Sequence, residues 1–218
     1  MNNIEKVAEI LLQIPDKTEV SCLKVNLREP LIGASGMILP IYIDNRLIQT
    51  FPMTRKNIAR LMAEELSIAG FKPKAIAGVV SGGIDLARGL ADLLDLPKIN
   101  VRPEPKSHGT SQTIEGVLEP GLNYLTIDDA INTGGSIFKS IDNIREAGGL
   151  VTHALAVVNY NWEETLKNFE GIKVRPLCLV SLSELLEQAL RLGQINQAET
   201  VELKKWQVNP WSWNKPHG

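Results

Sequence analysis

The sequence predicts an α/β protein with a parallel central sheet, and two observations carry that prediction. From Ala75 onward, short apolar runs typical of buried strands alternate with segments whose apolar residues recur at helical spacing. Glycine-containing turns separate the two kinds of segment. Strands that alternate with helices form βαβ units, and such units build a parallel sheet with right-handed crossovers.

The elements follow in order within a core of about residues 54–180. The predicted core strands are Ala75–Val80, Lys98–Val101, Leu122–Ile127, Val151–Val158 and Lys173–Val180, with helices between them. Residues 1–53 and 181–218 leave this alternation and are predicted to form a small hood subdomain and dimer elements. We therefore expect residues 1–218 to be a single domain. The final segment carries Trp206, Trp211 and Trp213, which are predicted to be packing anchors.

Composition excludes several classes of protein. The chain is 44% hydrophobic and 22% charged, with a net charge of −2, so it has no general field for a nucleic-acid partner. No apolar run approaches the roughly 20 residues of a membrane span. The N-terminus carries charged residues among its apolar ones, unlike a signal peptide. Cys22 and Cys178 lie far apart without metal-binding spacing, which favours a reduced, cytoplasmic setting.

The most informative run is Leu125–Ser136, because it joins an apolar strand, two adjacent carboxylates and a small-residue turn. Asp128 and Asp129 are expected at the carboxyl end of the strand, the edge at which α/β sheets bind ligands. The backbone N–H groups that follow, at the start of a helix, favour an anionic group. Two neighbouring carboxylates repel each other unless something offsets their charge, so a ligand explains the run better than a bare turn.

Two other segments carry candidate chemistry. Ser81, Gly82 and Gly83 form a tight turn after the strand Ala75–Val80, which structure alone could also require. The segment from Arg102 to Gly116 has prolines, several cationic or titratable side chains and no apolar period, which predicts a mobile surface segment.

These motifs resemble a known family. The run Leu125–Ser136 resembles the phosphoribosyl pyrophosphate (PRPP) signature of the type I phosphoribosyltransferases. The stretch Arg102–Gly109, followed by Ile114-Glu115-Gly116, resembles the catalytic loop of orotate phosphoribosyltransferases. Ser35-Gly36 and Pro40–Arg46 resemble that family's N-terminal element. The resemblance covers about residues 23–190 and implies the type I phosphoribosyltransferase fold.

The resemblance also implies a function: transfer of ribose 5-phosphate from PRPP to orotate, with Mg²⁺, in a homodimer. The loop 102–116 of one subunit would complete the neighbouring site. It implies catalytic roles for Lys106, His108, Asp128 and Asp129, with both aspartates reaching the metal directly or through water. PRPP would contact those four residues together with Arg102, Ala130, Ile131, Asn132, Thr133, Gly134, Gly135 and Ser136. The pyrophosphate loop would be Ser81, Gly82 and Gly83, and the base would contact Tyr42, Ile43, Thr133 and Tyr160.

Three departures from the family pattern keep alternatives open. Pro103 stands where a second basic residue is usual, and Ala34 and Gly82 stand where some members carry lysines. Tyr160 stands where many members carry an arginine that contacts the orotate carboxylate. One alternative is a phosphoribosyltransferase for another base, which a panel of bases would separate. The other is a non-catalytic PRPP- or nucleotide-sensing regulator, which a degraded loop or an added nucleic-acid module would indicate.

Overall fold

The computed structural model describes residues 2–15, 17, 19–33, 36–105 and 112–213. The chain divides into two compact units. Arg55–Leu179 forms the core unit, and Met1–Thr54 with Val180–Gly218 forms the terminal unit. None of the helices in the described ranges is long and apolar enough to cross a membrane.

The bounds of the elements are as follows. The helices are α1 (Asn3–Leu12), α2 (Pro52–Ile68), α3 (Gly83–Leu94), α4 (Gly135–Glu146), α5 (Glu163–Gly171), α6 (Leu182–Arg191) and α7 (Gln197–Val208), with a 3₁₀ helix at Asn45–Thr50. The strands are β1 (Leu23–Val25), β2 (Leu31–Ile32), β3 (Ile38–Leu39), β4 (Ile41–Ile43), β5 (Ala75–Val79), β6 (Lys98–Val101), β7 (Ile114–Glu115), β8 (Asn123–Ile131), β9 (Leu150–Asn159) and β10 (Arg175–Ser181).

A six-stranded sheet organises the core unit, in the order β10-β9-β8-β5-β6-β7. The pairs β5–β6, β5–β8 and β8–β9 are parallel, and β7 pairs antiparallel with β6. The chain leaves β5 toward β6 and returns on the other side of β5 to form β8. The sheet therefore has a topological switch point between β5 and β8, where α/β sheets bind their ligands. This arrangement confirms the predicted α/β class.

The core packs because the central strands are apolar on both faces. Every residue of β5 is buried, as parallel strands covered by helices on both sides require. Helix α4 buries Ile137, Ile141 and Ile144 at helical spacing, and these join the apolar cluster of the sheet. That packing fixes the first turn of α4 relative to the end of β8.

The described part of the terminal unit holds two antiparallel strand pairs, three α-helices and the 3₁₀ helix Asn45–Thr50. Strand β1 pairs with β4 and β2 pairs with β3, both antiparallel. The tryptophan prediction is confirmed for two of the three side chains. Trp206 is fully buried and its Nε1–H donates to the Ile38 carbonyl at 2.8 Å. Trp213 is also buried, whereas Trp211 is 59% exposed and is no anchor within the described residues.

Helices α1, α6 and α7 all begin with a capping box, in which the side chain of the residue just before the helix accepts from a backbone N–H three residues on. The pairs are Asn2 with Glu5, Ser181 with Glu184, and Asn196 with Glu199. Each box satisfies backbone donors that a helix N-terminus otherwise leaves without partners. Helices α3 and α4 have no such box.

Candidate active site

The switch point brings two of the predicted motifs together. Strand β5 ends just before the turn Ser81–Gly83, and its neighbour β8 ends with the two aspartates followed by Ala130 and Ile131. The predicted end of this strand at Ile127 was therefore wrong by four residues. The strand continues because β9 also extends to Asn159, so Ala130 and Ile131 still have a partner strand to pair with. Asp128 and Asp129 therefore lie within the paired part of β8, near its carboxyl end, rather than beyond it.

The two aspartates have different surroundings, because successive residues of a strand point to opposite faces. Asp128 is only 8% exposed, and its Oδ1 accepts the backbone N–H of Asp129 at 2.9 Å. Asp129 is half-buried. Burial raises the pKa of Asp128 well above its usual range, and the neighbouring Asp129 carboxylate raises that pKa further. The ionised form of Asp128 therefore needs hydroxyl donors or a cation beside it.

The turn Ser81–Gly83 packs directly against these acids. A Cβ at Gly82 would lie 2.5 and 2.7 Å from the Asp129 carboxylate oxygens. A Cβ at Gly83 would collide with the Ile127 carbonyl and lie 3.2 Å from the Asp128 Cα. The Val80–Ser81 peptide bond is cis. Both glycines are thus required by close approach, and the turn forms one wall of the site that holds Asp129.

Helices α3 and α4, which start at this edge, begin at glycines without a side-chain cap. Gly82 precedes α3 and Gly134 precedes α4, and neither helix start receives a side-chain hydrogen bond. The first N–H groups of both helices are consequently available to an anionic ligand. Thr133, Gly135 and Ser136 are exposed, so the turn before α4 presents two hydroxyls as well.

The described part of the loop segment begins and ends in a hairpin. Strand β6 pairs with β7, so Arg102 lies at the carboxyl edge of β6 next to the end of β5. Its guanidinium forms an ion pair with Glu115 at 2.8 Å. The sequence predicted a surface segment without regular structure from Arg102 to Gly116; near its end, Ile114–Glu115 is instead a short strand paired with β6. The predicted catalytic residues Lys106 and His108 lie outside the described residues.

The residues predicted to contact the base fall in both units. In the terminal unit, Ile43 is buried and Tyr42 is half-buried, with its hydroxyl accepting from Arg46 Nη2 at 3.0 Å. In the core unit, the Tyr160 N–H donates to the Ile131 carbonyl, which places Tyr160 beside the end of β8. Its ring is 4% exposed and meets Trp162 edge-on with centroids 5.6 Å apart. Tyr160 therefore presents little side-chain surface to a ligand.

Three supporting residues were not predicted. Glu115 was noted only as part of an Ile-Glu-Gly sequence, without its pairing to Arg102. The Thr165 hydroxyl donates to the Asn132 carbonyl at 3.0 Å, and Asn143 Nδ2 donates to the Arg102 carbonyl at 2.8 Å. Both contacts join positions more than 30 residues apart, so neither spacing nor periodicity could indicate them.

The donor set at the switch point fits a magnesium ion shared with a phosphate ligand. Within the described ranges, no cluster of three or more His, Cys, Asp and Glu side chains is arranged to hold a metal. Mg²⁺ is commonly bound through one or two carboxylates together with phosphates and water. Asp128 and Asp129 supply two carboxylates whose mutual repulsion a cation would offset.

The site and fold define a phosphoribosyl transferase: two acids at the switch point, a glycine turn against them and an uncapped helix beyond. The phosphoribosyl transferase domain family matches residues 48–174, more than half of the chain.

Individual relatives narrow the class of phosphoribosyl transferase to those that act on orotate. An orotate phosphoribosyltransferase of Listeria innocua is 38% identical over 214 residues, covering 98% of this chain and all of the relative. That of Porphyromonas gingivalis is 38% identical over 196 residues, covering 89% and 93%.

A solved structure agrees with these relatives. The crystal structure of orotate phosphoribosyltransferase from Aeropyrum pernix superposes with a TM-score of 0.69 at 26% identity, covering 86% of this chain and 99% of that one. The chain therefore belongs to the orotate phosphoribosyltransferase family. The resemblance drawn from the motifs is confirmed, as is the type I fold.

Proposed function

We propose that this chain transfers ribose 5-phosphate from PRPP to orotate, forming orotidine 5′-phosphate and pyrophosphate. The contact between Gly82 and Asp129 supports the phosphoribosyl half of this proposal, because it joins two motifs at the switch point. Near full-length similarity to orotate phosphoribosyltransferases supports orotate as the acceptor. In the reaction the bond from C1 of the ribose to the pyrophosphate oxygen breaks and the pyrophosphate keeps the electron pair, while a ring nitrogen of the base bonds to C1 and gives up its proton.

The residues at the switch point divide the ligand between them. Asp128 and Asp129 accept from the ribose 2- and 3-hydroxyls, directly or through the metal. The backbone N–H groups of residues 130–136, with the Thr133 and Ser136 hydroxyls, surround the 5-phosphate. The turn Ser81–Gly83 and the start of α3 receive the pyrophosphate. The family resemblance supports this division, and the element order is consistent with it: α4 follows the acids, and α3 starts across the switch point.

The transition state places positive charge on the ribose ring and negative charge on the departing pyrophosphate, so cations are needed beside the leaving group. Arg102 and Lys106 fill that role, and His108 assists the leaving group or a proton transfer, as its titration range allows. Mg²⁺, held by Asp128 and Asp129 directly or through water, would neutralise charge on the phosphates.

Incubation with PRPP, Mg²⁺ and orotate tests the proposal through the loss of orotate absorbance. The double variant Asp128→Asn with Asp129→Asn should lose turnover and PRPP binding by calorimetry. Asp142→Asn, an exposed acid on α4, is the matched control and should retain both. A panel of other bases run in parallel identifies the acceptor. Turnover with a different base, and none with orotate, would contradict orotate as the acceptor. Absence of turnover with every base would contradict the proposed enzymatic activity.

We also propose a homodimer in a cytoplasmic setting, with the loop 102–116 completing the neighbouring site. The family resemblance supports the dimer, and the distant cysteines support the setting. A mixing experiment tests the shared site. Lys106→Ala and the double aspartate variant, each inactive alone, should regain activity when their subunits are exchanged, because each mixed dimer contains one intact site. A monomeric mass in solution, or no recovery after exchange, would contradict the shared site.

A further inference from the structure

The hairpin of β6 and β7 fixes the backbone of Arg102 from two sides. The Arg102 N–H donates to the Thr113 carbonyl at 2.7 Å, continuing the strand pairing. Its carbonyl accepts from Asn143 Nδ2, on the helix whose first turn follows the two aspartates, at 2.8 Å. The Val80 N–H donates to the Val101 carbonyl, which places Arg102 beside Ser81. Arg102 therefore occupies a defined position at the start of the loop 102–116, the loop that completes the neighbouring site in the proposed homodimer.

Glu115 holds the side chain of Arg102 by one edge. Nε and Nη2 both donate to the same carboxylate oxygen, Oε1, at 3.0 and 2.8 Å. The opposite edge of the guanidinium, formed by Nη1 and the second hydrogen of Nη2, is not used by this pair. Among the described residues, no hydrogen bond to Nη1 is found. The ion pair is half-buried, with side-chain exposures of 28% for Arg102 and 35% for Glu115.

An arginine restrained in this way binds an anion better than a freely rotating one. A long side chain loses rotamer entropy when it is immobilised on a ligand, and that loss opposes binding. The Glu115 contact imposes most of this restriction before the ligand arrives. Because the guanidinium is a rigid planar fork, fixing one edge also fixes the direction of the other edge, whose N–H groups can donate to two phosphate oxygens.

We propose that Glu115 is a positioning residue that orients Arg102 toward the pyrophosphate of PRPP. This inference rests on the proposed function, since it needs Arg102 to contact that group. Glu115 itself touches no substrate. Its other oxygen, Oε2, accepts from Asn100 Nδ2 at 3.5 Å. The effect on PRPP passes through the carboxylate–guanidinium contact, so that effect must disappear when Arg102 is removed.

A double-mutant cycle tests this dependence. Glu115→Ala should raise the KM for PRPP about tenfold, equivalent to losing one well-placed charged contact, and leave the KM for orotate within about twofold. Glu115→Gln, which keeps an oxygen acceptor but loses the charge, should fall between. In an Arg102→Gln background, Glu115→Ala should add nothing. Glu119→Ala changes an exposed acid four residues after Glu115, and this matched control should behave as wild type.

The outcomes separate this inference from the proposed function. If Glu115→Ala lowers activity equally in the presence and absence of Arg102, it acts by disturbing the hairpin, and the positioning role is wrong. If Arg102→Gln impairs the use of PRPP but Glu115→Ala does not, the inference also fails while the function stands. If the wild-type chain shows no turnover with any base, the proposed function itself fails. Calorimetric binding of pyrophosphate should follow the same pattern as the KM for PRPP.

Discussion

The two glycine turns at the switch point look alike in sequence but use glycine for different physical reasons. Ser81-Gly82-Gly83 precedes α3, and Thr133-Gly134-Gly135 precedes α4. Gly82 has a right-handed backbone with φ −64° that any residue could adopt, yet a Cβ there would strike the Asp129 carboxylate. Gly134 has φ 81°, which side-chain-bearing residues rarely adopt, and lies against the Phe138 ring. The first turn needs glycine for space alone, whereas the second needs it for backbone conformation as well as for space.

This difference indicates what each turn contributes. The first turn shapes the surroundings of the acids, so changing it should affect chemistry more than stability. The second turn sets the direction of the chain entering α4, so changing it should affect both. In both turns the absence of a side-chain cap keeps the first helical N–H groups available, whereas the capping boxes of α1, α6 and α7 satisfy theirs internally. Helix α5, which follows neither glycine turn, also lacks a side-chain cap, so the missing cap matters at α3 and α4 because the two acids lie beside those helix starts.

The largest effect is expected at Asp128, whose burial beside the first turn raises its pKa. Between the ordinary carboxyl pKa and this raised value, the native state holds more protons than the unfolded state, so stability falls as pH rises. Asp128→Asn removes that fall while keeping an oxygen that can accept the Asp129 N–H. Its melting temperature should exceed that of wild type at neutral pH, and the difference should shrink below about pH 4.

The same substitution should weaken PRPP binding on the order of 100-fold, because it removes a charged acceptor for the ribose hydroxyls. Thermal melts across pH and calorimetry with PRPP provide the two measurements. Asp142→Asn, on the exposed face of α4, is the control for both. A melting temperature that does not rise at neutral pH would contradict the unfavourable burial of the Asp128 charge.

Gly82→Ala should come next, with a loss of roughly 30-fold in kcat/KM for PRPP, about 2 kcal/mol of transition-state stabilisation. The added methyl displaces the Asp129 carboxylate, whereas the backbone tolerates alanine, so the unfolding free energy should change by less than about 1 kcal/mol. Gly89→Ala lies in the same helix, with its nearest outside atom at 3.5 Å, and should leave activity unchanged. If the unfolding free energy fell by as much as the transition-state stabilisation, Gly82 would be required for folding, as Gly134 is, and not mainly for the position of Asp129.

Sequence reasoning anticipated the switch-point motifs because they are local. The apolar strand, the paired acids and the glycine turn of Leu125–Ser136 can each be interpreted from a dozen consecutive residues. The contact between Gly82 and Asp129 could not be predicted in the same way, because it joins two turns through the pairing of β5 with β8. The sequence indicated that both turns belong to one site only through family resemblance.

The missed features share a different cause. Strand β7 has two residues, too few for an alternating pattern, so the pairing of Arg102 with Glu115 had no signal in the sequence. The end of β8 was misplaced because two adjacent acids resemble a strand end, although the long neighbour β9 continues the pairing past them. Tertiary pairing decided both cases, and a single sequence does not reveal it.

Gly134→Ala should reduce stability by about 1–2 kcal/mol for the left-handed backbone alone, with a further loss from displacing Phe138. The KM for PRPP should rise about tenfold, since the N–H groups around the 5-phosphate shift with the turn. Gly121→Ala separates the two causes. Gly121 also has a positive φ, 79°, but a Cβ there meets no atom within 4 Å, so it reports the backbone contribution alone. Equal losses in the two variants would show that Phe138 contributes nothing.

The smallest effect should come from the residue that supports the second turn from outside. The buried Thr165 hydroxyl on α5 donates to the Asn132 carbonyl at 3.0 Å, just before Thr133. Thr165→Val keeps the shape but leaves that carbonyl without this donor, which should cost about 1 kcal/mol of stability. Because the carbonyl belongs to the turn before α4 and not to the turn before α3, the effects on the two ligand groups should differ.

The KM for PRPP should rise about threefold in Thr165→Val, while inhibition by free pyrophosphate, which lacks the 5-phosphate, should remain unchanged. Thr165→Ser restores the donor and should recover the wild-type KM. Thr152→Val, an exposed strand residue, controls for the substitution itself. If pyrophosphate inhibition weakened as much as the use of PRPP, the two turns would move together. The turn before α3 and the turn before α4 would then not contribute separately to binding.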